Sequence, residues 1–390
     1  MKKICIAAAM ALLTLGVHAQ DDLIKALENN TSLAAKEGFI FKPVVNLERT
    51  SIKNQGSSGT CWSYAGNALL ESEMLRVGKE AIDISEIYTA RCVYIEKAKN
   101  YVRMHGNLNW GDGGLLHDVV NIYQQYGALP QEAYTGLNYG TDINRFGEMQ
   151  SALKGFLDGI IQNKNGKLTP NWLTAFTAIL DSYLGAVPES FEYQGKTYTP
   201  KTFAQQVIGV KADSFVELVA LGHEPLYQDV FIPVPDNWSF DYAYNVTMND
   251  FVDIIDNALE KGYTIGWAAD VSEKYFSWKN GVAYVPEMDY KDMSAEARQA
   301  MFNGPKPELA ISEQMREQAF DNYSTTDDHA MQIVGKAKDQ NNREYYIVKN
   351  SWGTGNDHEG YLYVTKNYIL LKTNSLYLNK DGIPNGILKG

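Results

Sequence analysis

A cysteine placed where a glycine-rich loop gives way to a helix constrains this chain more than any other feature. The chain reads Asn-Gln-Gly-Ser-Ser-Gly-Thr-Cys-Trp at positions 54–62, and apolar residues then recur at helical spacing as far as Val77. Cys61 therefore opens a helix, where unpaired backbone N–H groups and the helix dipole favour thiolate over thiol. The sequence predicts a reactive thiol at this position.

A cysteine nucleophile needs a base, and the base needs a third group that orients it. His329 stands at the start of a strand-like run, and Asn350 closes a second strand-like run 21 residues later. Adjacent strand ends can bring the Asn350 side-chain oxygen to one imidazole nitrogen, which leaves the other nitrogen for Cys61. We expect Trp352 to shield that hydrogen bond from water and Gln55 to donate to an oxyanion.

The remaining histidines after residue 20 show no metal-ligand spacing with another histidine or cysteine. They are His105, His117, His223 and His358. We therefore expect neither a metal nor a cofactor. Cys92 lies on the apolar face of a predicted helix, which favours a buried, inert thiol. A disulfide with Cys61 is the alternative, because exported proteins usually pair their cysteines.

The first 19 residues have the anatomy of a secretory signal. Two lysines precede an apolar run at positions 4–17, and Ala19 ends a small-residue cleavage site. A short buried helix is the alternative interpretation. We expect a signal peptide at 1–19, a mature protein that begins near Gln20, and a periplasmic or extracellular location. No later stretch reaches the roughly 18 apolar residues of a membrane span, so no membrane insertion is expected.

The charge of the chain narrows the range of partners. Acidic residues outnumber basic residues 47 to 35, and no basic run stands out. This argues against nucleic acid or an anionic membrane surface as a partner. The 390 residues are 45% hydrophobic, enough to bury the core of one large domain or of two closely joined ones.

Three motifs together resemble the papain family of cysteine peptidases, and more closely its bleomycin hydrolase and aminopeptidase C branch. Asp-His-Ala at 328–330 and Val-Lys-Asn-Ser-Trp-Gly at 348–353 follow the cysteine motif in the family order. The resemblance implies four catalytic residues: the nucleophile Cys61, the general base His329, its orienting partner Asn350 and the oxyanion-hole glutamine Gln55.

The resemblance also implies an α+β, two-lobe, papain-like fold. A helical lobe would carry Cys61 and a β-barrel-like lobe would carry the histidine, with the cleft between them. His329 follows Cys61 by 268 positions, well beyond the roughly 130 to 150 of papain-like enzymes. We assign the surplus to a mostly helical insertion at 131–238 within a peptidase domain at 20–390.

Further residues are implied as substrate contacts. Gly113 and Gly114 resemble the family glycines that bond the substrate backbone, although a turn before a helix needs glycines as well. The run 262–270 resembles the strand that lines the main specificity pocket. The implied substrate-binding residues are Gly113, Gly114, Trp267, Ala268, Ala269 and Trp352.

The implied activity is hydrolysis of peptides or proteins, with an aminopeptidase favoured. In that branch the C-terminal arm lies in the cleft and its carboxylate receives the substrate amine, a role that would fall here to Asn379–Gly390. The leader before Cys61 is too short for a long inhibitory propeptide. Alternatives are an endopeptidase with an open cleft, a catalytically silent peptide-binding protein, and a transamidase or glutaminase. Relatives in the branch also suggest a homo-oligomer.

Overall fold

The computed structural model describes residues 38–164 and 166–388. The α-helices in these ranges are α1 Cys61–Arg76, α2 Glu86–Arg103, α3 Leu116–Tyr126, α4 Gly147–Ile161, α5 Asn171–Leu184, α6 Pro200–Phe203, α7 Met248–Glu260, α8 Ala295–Gln299, α9 Glu313–Asp321 and α10 Lys366–Lys372. The predicted signal peptide at 1–19 lies outside the described residues. Within the described ranges, no helix combines the length and apolar character needed to cross a bilayer.

The strands fall into one large sheet and one small hairpin. They are β1 Lys42–Asn46, β2 Phe191–Tyr193, β3 Lys196–Tyr198, β4 Phe215–Val219, β5 Asp229–Phe231, β6 Tyr242–Asn245, β7 Ile265–Ala269, β8 Phe276–Ser277, β9 Val282–Ala283, β10 His329–Lys338, β11 Glu344–Lys349, β12 Tyr361–Thr365 and β13 Thr373–Asn379. The sheet runs in the order β5-β6-β4-β13-β7-β10-β11-β12-β9-β8, with β1 paired to β10. The hairpin consists of β2 and β3.

The helical lobe is built around α1. Its residues from Cys61 to Met74 are all buried, so this helix has no solvent face over that length. It packs against α3 and, on the sheet side, against β10. Gly66 permits the close approach to α3, because a Cβ there would lie 2.4 Å from Val119 Cγ2.

The sheet lobe buries a second apolar core between the strands and α7. Ile254, Ile255 and Leu259 of α7 are almost fully buried and belong to this core with Ile333 and Leu376. Strand β10 is central to the sheet, since it pairs with β7 on one side and with β11 on the other. Helices and a mostly antiparallel sheet thus form two layers with separate cores, and the α+β prediction is confirmed.

The segment 131–238 is helical in its first part and mixed in its second. It contains α4 and α5, then the β2–β3 hairpin and the short α6, and finally β4 and β5, which join the large sheet. The structure thus adds strands to a segment for which the sequence predicts mostly helix. The β4 sequence Phe-Val-Glu-Leu-Val is a short apolar run, and periodicity alone does not separate such a run from a buried helix.

Candidate active site

Cys61 is the first residue of α1, directly after the N-cap residue Thr60. The Thr60 carbonyl accepts hydrogen bonds from the backbone N–H groups of Ser63 at 2.9 Å and Tyr64 at 3.1 Å. The first turn carries no acidic residue, so no side chain there offsets the positive end of the helix dipole. Cys61 is 6% exposed and borders a cleft of about 440 Å³ between the two lobes.

Asp112 fixes the loop that precedes Cys61. Its Oδ2 accepts a hydrogen bond of 2.7 Å from the Gly59 backbone N–H, and its carbonyl accepts one of 2.9 Å from Trp62 Nε1. Burial raises the pKa of the Asp112 carboxyl, while the hydrogen bond from Gly59 opposes the rise. The loop, the start of α1 and the segment at 109–116 are therefore tied together on one wall of the cleft.

His329 lies at the start of β10 and borders the same cleft. Its Nε2 lies 2.7 Å from Asn350 Oδ1, and Asn350 follows the last residue of β11. The antiparallel pairing of β10 with β11 brings these two positions together, as the sequence predicts. The other ring nitrogen, Nδ1, is buried and has no hydrogen-bond partner among the described residues.

The ring of Trp352 covers the histidine, with centroids 4.5 Å apart at 38°. Trp352 is itself buried beneath Trp278, whose ring centroid lies 5.3 Å away. Burial lowers the pKa of His329 to about 4, and the hydrogen bond to Asn350 acts in the opposite direction. The imidazole is therefore neutral near pH 7, the state in which one nitrogen can accept a proton.

Gln55 is fully buried in the loop that precedes Cys61. Its Nε2 donates to the Ser58 carbonyl at 2.6 Å, and its Oε1 accepts from Ser351 Oγ at 2.7 Å. The backbone N–H of Gln55 also donates to the Ser351 carbonyl at 2.8 Å, which joins this loop to the strand end that carries Asn350. Since an amide nitrogen carries two hydrogens, one remains after the bond to Ser58.

Gly113 and Gly114 border the cleft beside Cys61. A Cβ on Gly114 would lie 2.9 Å from Trp62 Cε2, and one on Gly113 would lie 2.0 Å from Asp236 Oδ2. A side chain at position 114 would therefore collide with the Trp62 ring, and one at position 113 would displace the Asp236 carboxylate. Lys97, which is fully buried, donates to the Gly113 carbonyl at 2.9 Å and supports this segment from below.

Strand β7 presents only one of the three residues predicted to contact substrate. Ala268 borders the cleft, whereas Trp267 and Ala269 belong to the core of the sheet lobe. Trp267 Nε1 donates to Thr373 Oγ1 at 2.8 Å, which fixes its ring on the inner face. The reason is the two-residue period of a strand, which alternates side chains between the faces. Trp352 likewise packs on His329 and does not line the cleft.

A family model described as "papain family cysteine protease" matches residues 45–281 and 310–378, well over half of the chain. The chain belongs to the papain family. The solved structure of PepW from Lactobacillus rhamnosis HN001 has the same fold. It superposes with a TM-score of 0.69 at 16% identity, over 94% of this chain and 89% of that one.

Curated relatives fall into two groups by coverage. Mitochondrial cysteine proteinase 1 of Saccharomyces cerevisiae strain YJM789 is 28% identical over 137 residues, only 31% of this chain and 28% of that protein. Aminopeptidase C of Lactobacillus delbrueckii subsp. lactis is 21% identical over 88% of this chain and 83% of its own. Bleomycin hydrolase of Mus musculus is 21% identical over 90% and 84%.

The second cysteine of the papain-family domain has a different environment. Cys92 lies in α2 and is 2% exposed, and no disulfide joins it to Cys61. Burial raises the pKa of the Cys92 thiol to about 12, so thiolate is scarce there at neutral pH. The predicted inert, buried thiol agrees with this geometry.

One group of carboxylates is compact enough to be considered as a metal site. Oxygens of Glu71, Asp83 and Glu86 lie within 4.8 Å of one another. Lys53 Nζ lies among them, at 2.9, 2.6 and 2.5 Å respectively. Although burial acts against it, the charges of Glu86, Glu71 and Asp83 raise the pKa of Lys53 well above its usual value. The lysine thus supplies the compensating cation, and the group links the β1–α1 connection to α2.

The described part of the C-terminal segment is held by the sheet lobe. Asn257 Nδ2 of α7 donates to the Gly382 carbonyl at 2.5 Å, and Tyr244 Oη of β6 donates to the Ile387 carbonyl at 3.0 Å. Ile383 is buried in the core of the sheet lobe. None of residues 379–388 borders the cleft, while positions 389 and 390 lie outside the described residues.

Four aspartates that the sequence did not mark as site residues line the cleft. Asp112, Asp236, Asp327 and Asp328 all border it. The adjacent aspartates before His329 were a visible signal, because they occupy the turn that leads into the strand. Nothing local marked Asp236, which reaches the cleft from the connection between β5 and β6.

Proposed function

We propose that this chain is an exported cysteine peptidase in which Cys61 is the nucleophile, His329 the general base and Asn350 the residue that orients the base. The observation that carries the proposal is the orientation of His329. Its Nε2 is engaged by Asn350 at 2.7 Å, its buried Nδ1 has no hydrogen-bond partner among the described residues, and the residue borders the cleft that also contains Cys61. A neutral imidazole with one engaged and one available nitrogen suits a proton acceptor for a thiol.

The proposed reaction passes through a thioester. His329 takes the proton from the Cys61 thiol, and the sulfur attacks the carbonyl carbon of the scissile bond. The oxyanion is stabilised by the backbone N–H of Cys61 and the second amide hydrogen of Gln55. His329 then gives its proton to the leaving amine as the C–N bond breaks. Water, deprotonated by the same imidazole, attacks the thioester, and Cys61 leaves as the free thiol.

The proposed substrates are peptides or proteins with a free amino terminus. Support comes from the relatives named aminopeptidase C, which align with this chain over most of its length. Gly113, Gly114 and Ala268 are the proposed substrate contacts, because they border the cleft beside Cys61.

Peptide hydrolysis by the wild type, Cys61→Ala and Cys92→Ala tests the catalytic assignment. Single amino acids coupled to a fluorogenic amine serve as substrates, and mass spectrometry of the products separates hydrolysis from transfer. We expect Cys61→Ala to be inactive and Cys92→Ala to retain most activity, since only the first thiol borders the cleft. Retained hydrolysis by Cys61→Ala would overturn the assignment. Inactivity of the purified wild type towards all peptides would favour a binding protein.

Export is proposed from the composition of residues 1–19 alone. Amino-terminal sequencing of the protein from its native cells is the direct test. We expect a start at or near Gln20 and recovery outside the cytoplasm. Recovery of the chain with its first 19 residues attached would reject the signal-peptide assignment.

A further inference from the structure

Asp236 closes part of the cleft. Its carboxylate lies against the main chain of Gly113, where a Cβ would be 2.0 Å from Asp236 Oδ2. Asn109 Nδ2 donates to Asp236 Oδ1 at 3.2 Å, so the carboxylate is held on the same wall. A substrate chain that extends along Gly113 therefore meets a charged side chain in its path.

The loop that carries Asp236 is well anchored. Asn237 is buried, and its Nδ2 donates to the carbonyls of Ile232 at 3.0 Å and Asp241 at 2.9 Å. Trp238 is also buried, and its Nε1 donates to Asp118 Oδ2 at 2.8 Å. The residues on the C-terminal side of Asp236 are thus fixed by their own contacts.

Asp327 reaches the same region from the turn before His329. It borders the same cleft, and its Oδ2 is buried with no hydrogen-bond partner among the described residues. Burial raises the pKa of Asp327 well above its usual value, the charge of Asp236 adds to the rise, and a hydrogen bond from the Asp236 backbone opposes it. Two carboxyl groups from different loops therefore share one region of the cleft.

The positive charge of Lys97 does not neutralise the carboxyl groups in this region of the cleft. Lys97 is fully buried below the glycine segment and donates to the carbonyls of Gly111 at 3.1 Å and Gly113 at 2.9 Å. Its charge lowers the pKa of Asp236, yet burial leaves that pKa raised. Asp112 and Asp328 add further carboxyl groups to the lining. Crowded carboxyl groups of this kind are all ionised only when a nearby cation compensates their charge. Without one, at least one of them keeps its proton.

A second unsatisfied polar group borders the cleft. Trp110 is 5% exposed, and its indole Nε1 has no hydrogen-bond partner among the described residues. A buried donor without a partner is costly in a native protein and is typical of a site that receives a ligand. Trp110 and Asp327 are thus two residues of the cleft lining that each keep a buried polar atom without a hydrogen-bond partner among the described residues.

We propose that Asp236 and Asp327 form the subsite that receives the free α-ammonium group of the substrate, and that Asp236 also blocks chains that extend beyond it. This rests on the proposed peptidase function and makes the enzyme an aminopeptidase whose amine anchor comes from two internal loops. The ammonium group supplies the cation that the paired carboxylates require. Charge-assisted hydrogen bonds from an ammonium to two carboxylates are short and strong, which suits the recognition of one group.

The test compares three substrates that differ only at the amino end: a free amine, its acetylated form and its analogue without the amine. Asp236→Asn and Asp327→Asn remove charge and keep volume, while Asp236→Ala also removes the block. Asp292→Asn, an exposed residue outside the cleft, is the matched control. Alkylation of Cys61 reports that each variant keeps an intact site.

We expect each Asn variant to lower kcat/KM for the free-amine substrate by about 10- to 100-fold, mainly through KM, as for loss of a hydrogen bond to a charged group. The other two substrates should change little in these variants, and Asp236→Ala should gain activity on acetylated peptides. The control should match the wild type. An unchanged preference in both Asn variants overturns the proposal.

The wild type alone provides a second check, which does not depend on the folding of any variant. Equal cleavage of the free amine and the analogue without it would also overturn the amine subsite. Either result leaves the Cys61 peptidase intact, because that assignment fails only if Cys61→Ala remains active or the wild type cleaves no peptide.

Discussion

The neutral state of His329 follows from the surfaces that cover its ring. Trp352 stacks on one face, Asn350 engages Nε2, and the residue is 2% exposed. The unfolded chain binds a proton near pH 6.5, whereas the folded histidine has a pKa of about 4. Falling pH therefore costs stability between these two values, and the contribution of His329 is fully present above pH 6.5.

The same burial predicts the acid limit of activity. If a neutral His329 is required, the acid limb of the kcat/KM profile should have its midpoint well below 6.5. Trp352→Ala admits water to the ring, which raises the pKa and should move the limb upward by about one pH unit or more, because desolvation is the largest cause of the shift. Hydrolysis measured from pH 3.5 to 8 gives the midpoint.

Trp172→Ala, in α5 and away from the cleft, is the control and should leave the limb in place. An acid limb that stays in place in Trp352→Ala would show that the indole does not set the protonation of His329.

At the residue scale, the sequence predicts what is encoded locally. The positions of Cys61, His329 and Asn350 can be inferred because each stands at the end of an element whose pattern is strong. Asp236 could not be inferred, since its place beside Gly113 depends on a loop fold 123 residues away along the chain. The inner positions of Trp267 and Ala269 depend on which face of β7 meets the cleft, and that requires the strand register.

The elements that position Cys61 are α1 and α3. Their close packing places the start of α1 beside the segment at 109–116, which lines the cleft together with Ala268. The helix α3, Leu116–Tyr126, follows the turn at Gly113 and Gly114, as expected from the clear apolar spacing of its residues. Strand β4 was not predicted, because periodicity alone does not separate its short apolar run from a buried helix.

Gly66→Ala tests how tightly these two helices pack. The added methyl group would lie 2.4 Å from Val119 Cγ2, so we expect the free energy of unfolding to fall by about 1–3 kcal/mol, as for overpacking of a core. Gly155→Ala in α4 is the matched variant, because its Cβ meets nothing within 4 Å. It should stabilise by about 0.5–1 kcal/mol through helix propensity.

Urea unfolding followed by circular dichroism measures both changes. Equal stability of the two variants would show that α1 and α3 have room to separate, and that the close approach at Gly66 is not required.

On the scale of the whole molecule, the chain visits each lobe more than once. Strand β1 enters the sheet lobe beside β10, α1 to α5 then form the helical lobe, and the chain returns to complete the sheet. The sequence predicts this interleaving through the order of its motifs. It does not predict the path of residues 380–388, because that path depends on the burial of Ile383 in the core of the sheet lobe.

Removal of residues 384–390 tests that path. The preference for free-amine over acetylated substrates should stay within about twofold, since the described part of this segment is remote from the cleft. Stability should fall by about 1–3 kcal/mol, because Ile387 and Leu388 pack against the sheet core. A large loss of preference in the truncated enzyme would assign the amine anchor to the terminal carboxylate.

The proposed peptidase reaction depends on Cys61 being the reactive thiol of this cleft. The most direct measurement treats the wild-type protein with a limiting amount of a thiol-directed epoxide and maps the adduct by mass spectrometry while hydrolysis is followed. We predict one adduct per chain, on Cys61, with activity lost in proportion to its formation, and no reaction at Cys92. An adduct on Cys92, or full activity in protein whose Cys61 is modified, would contradict the account.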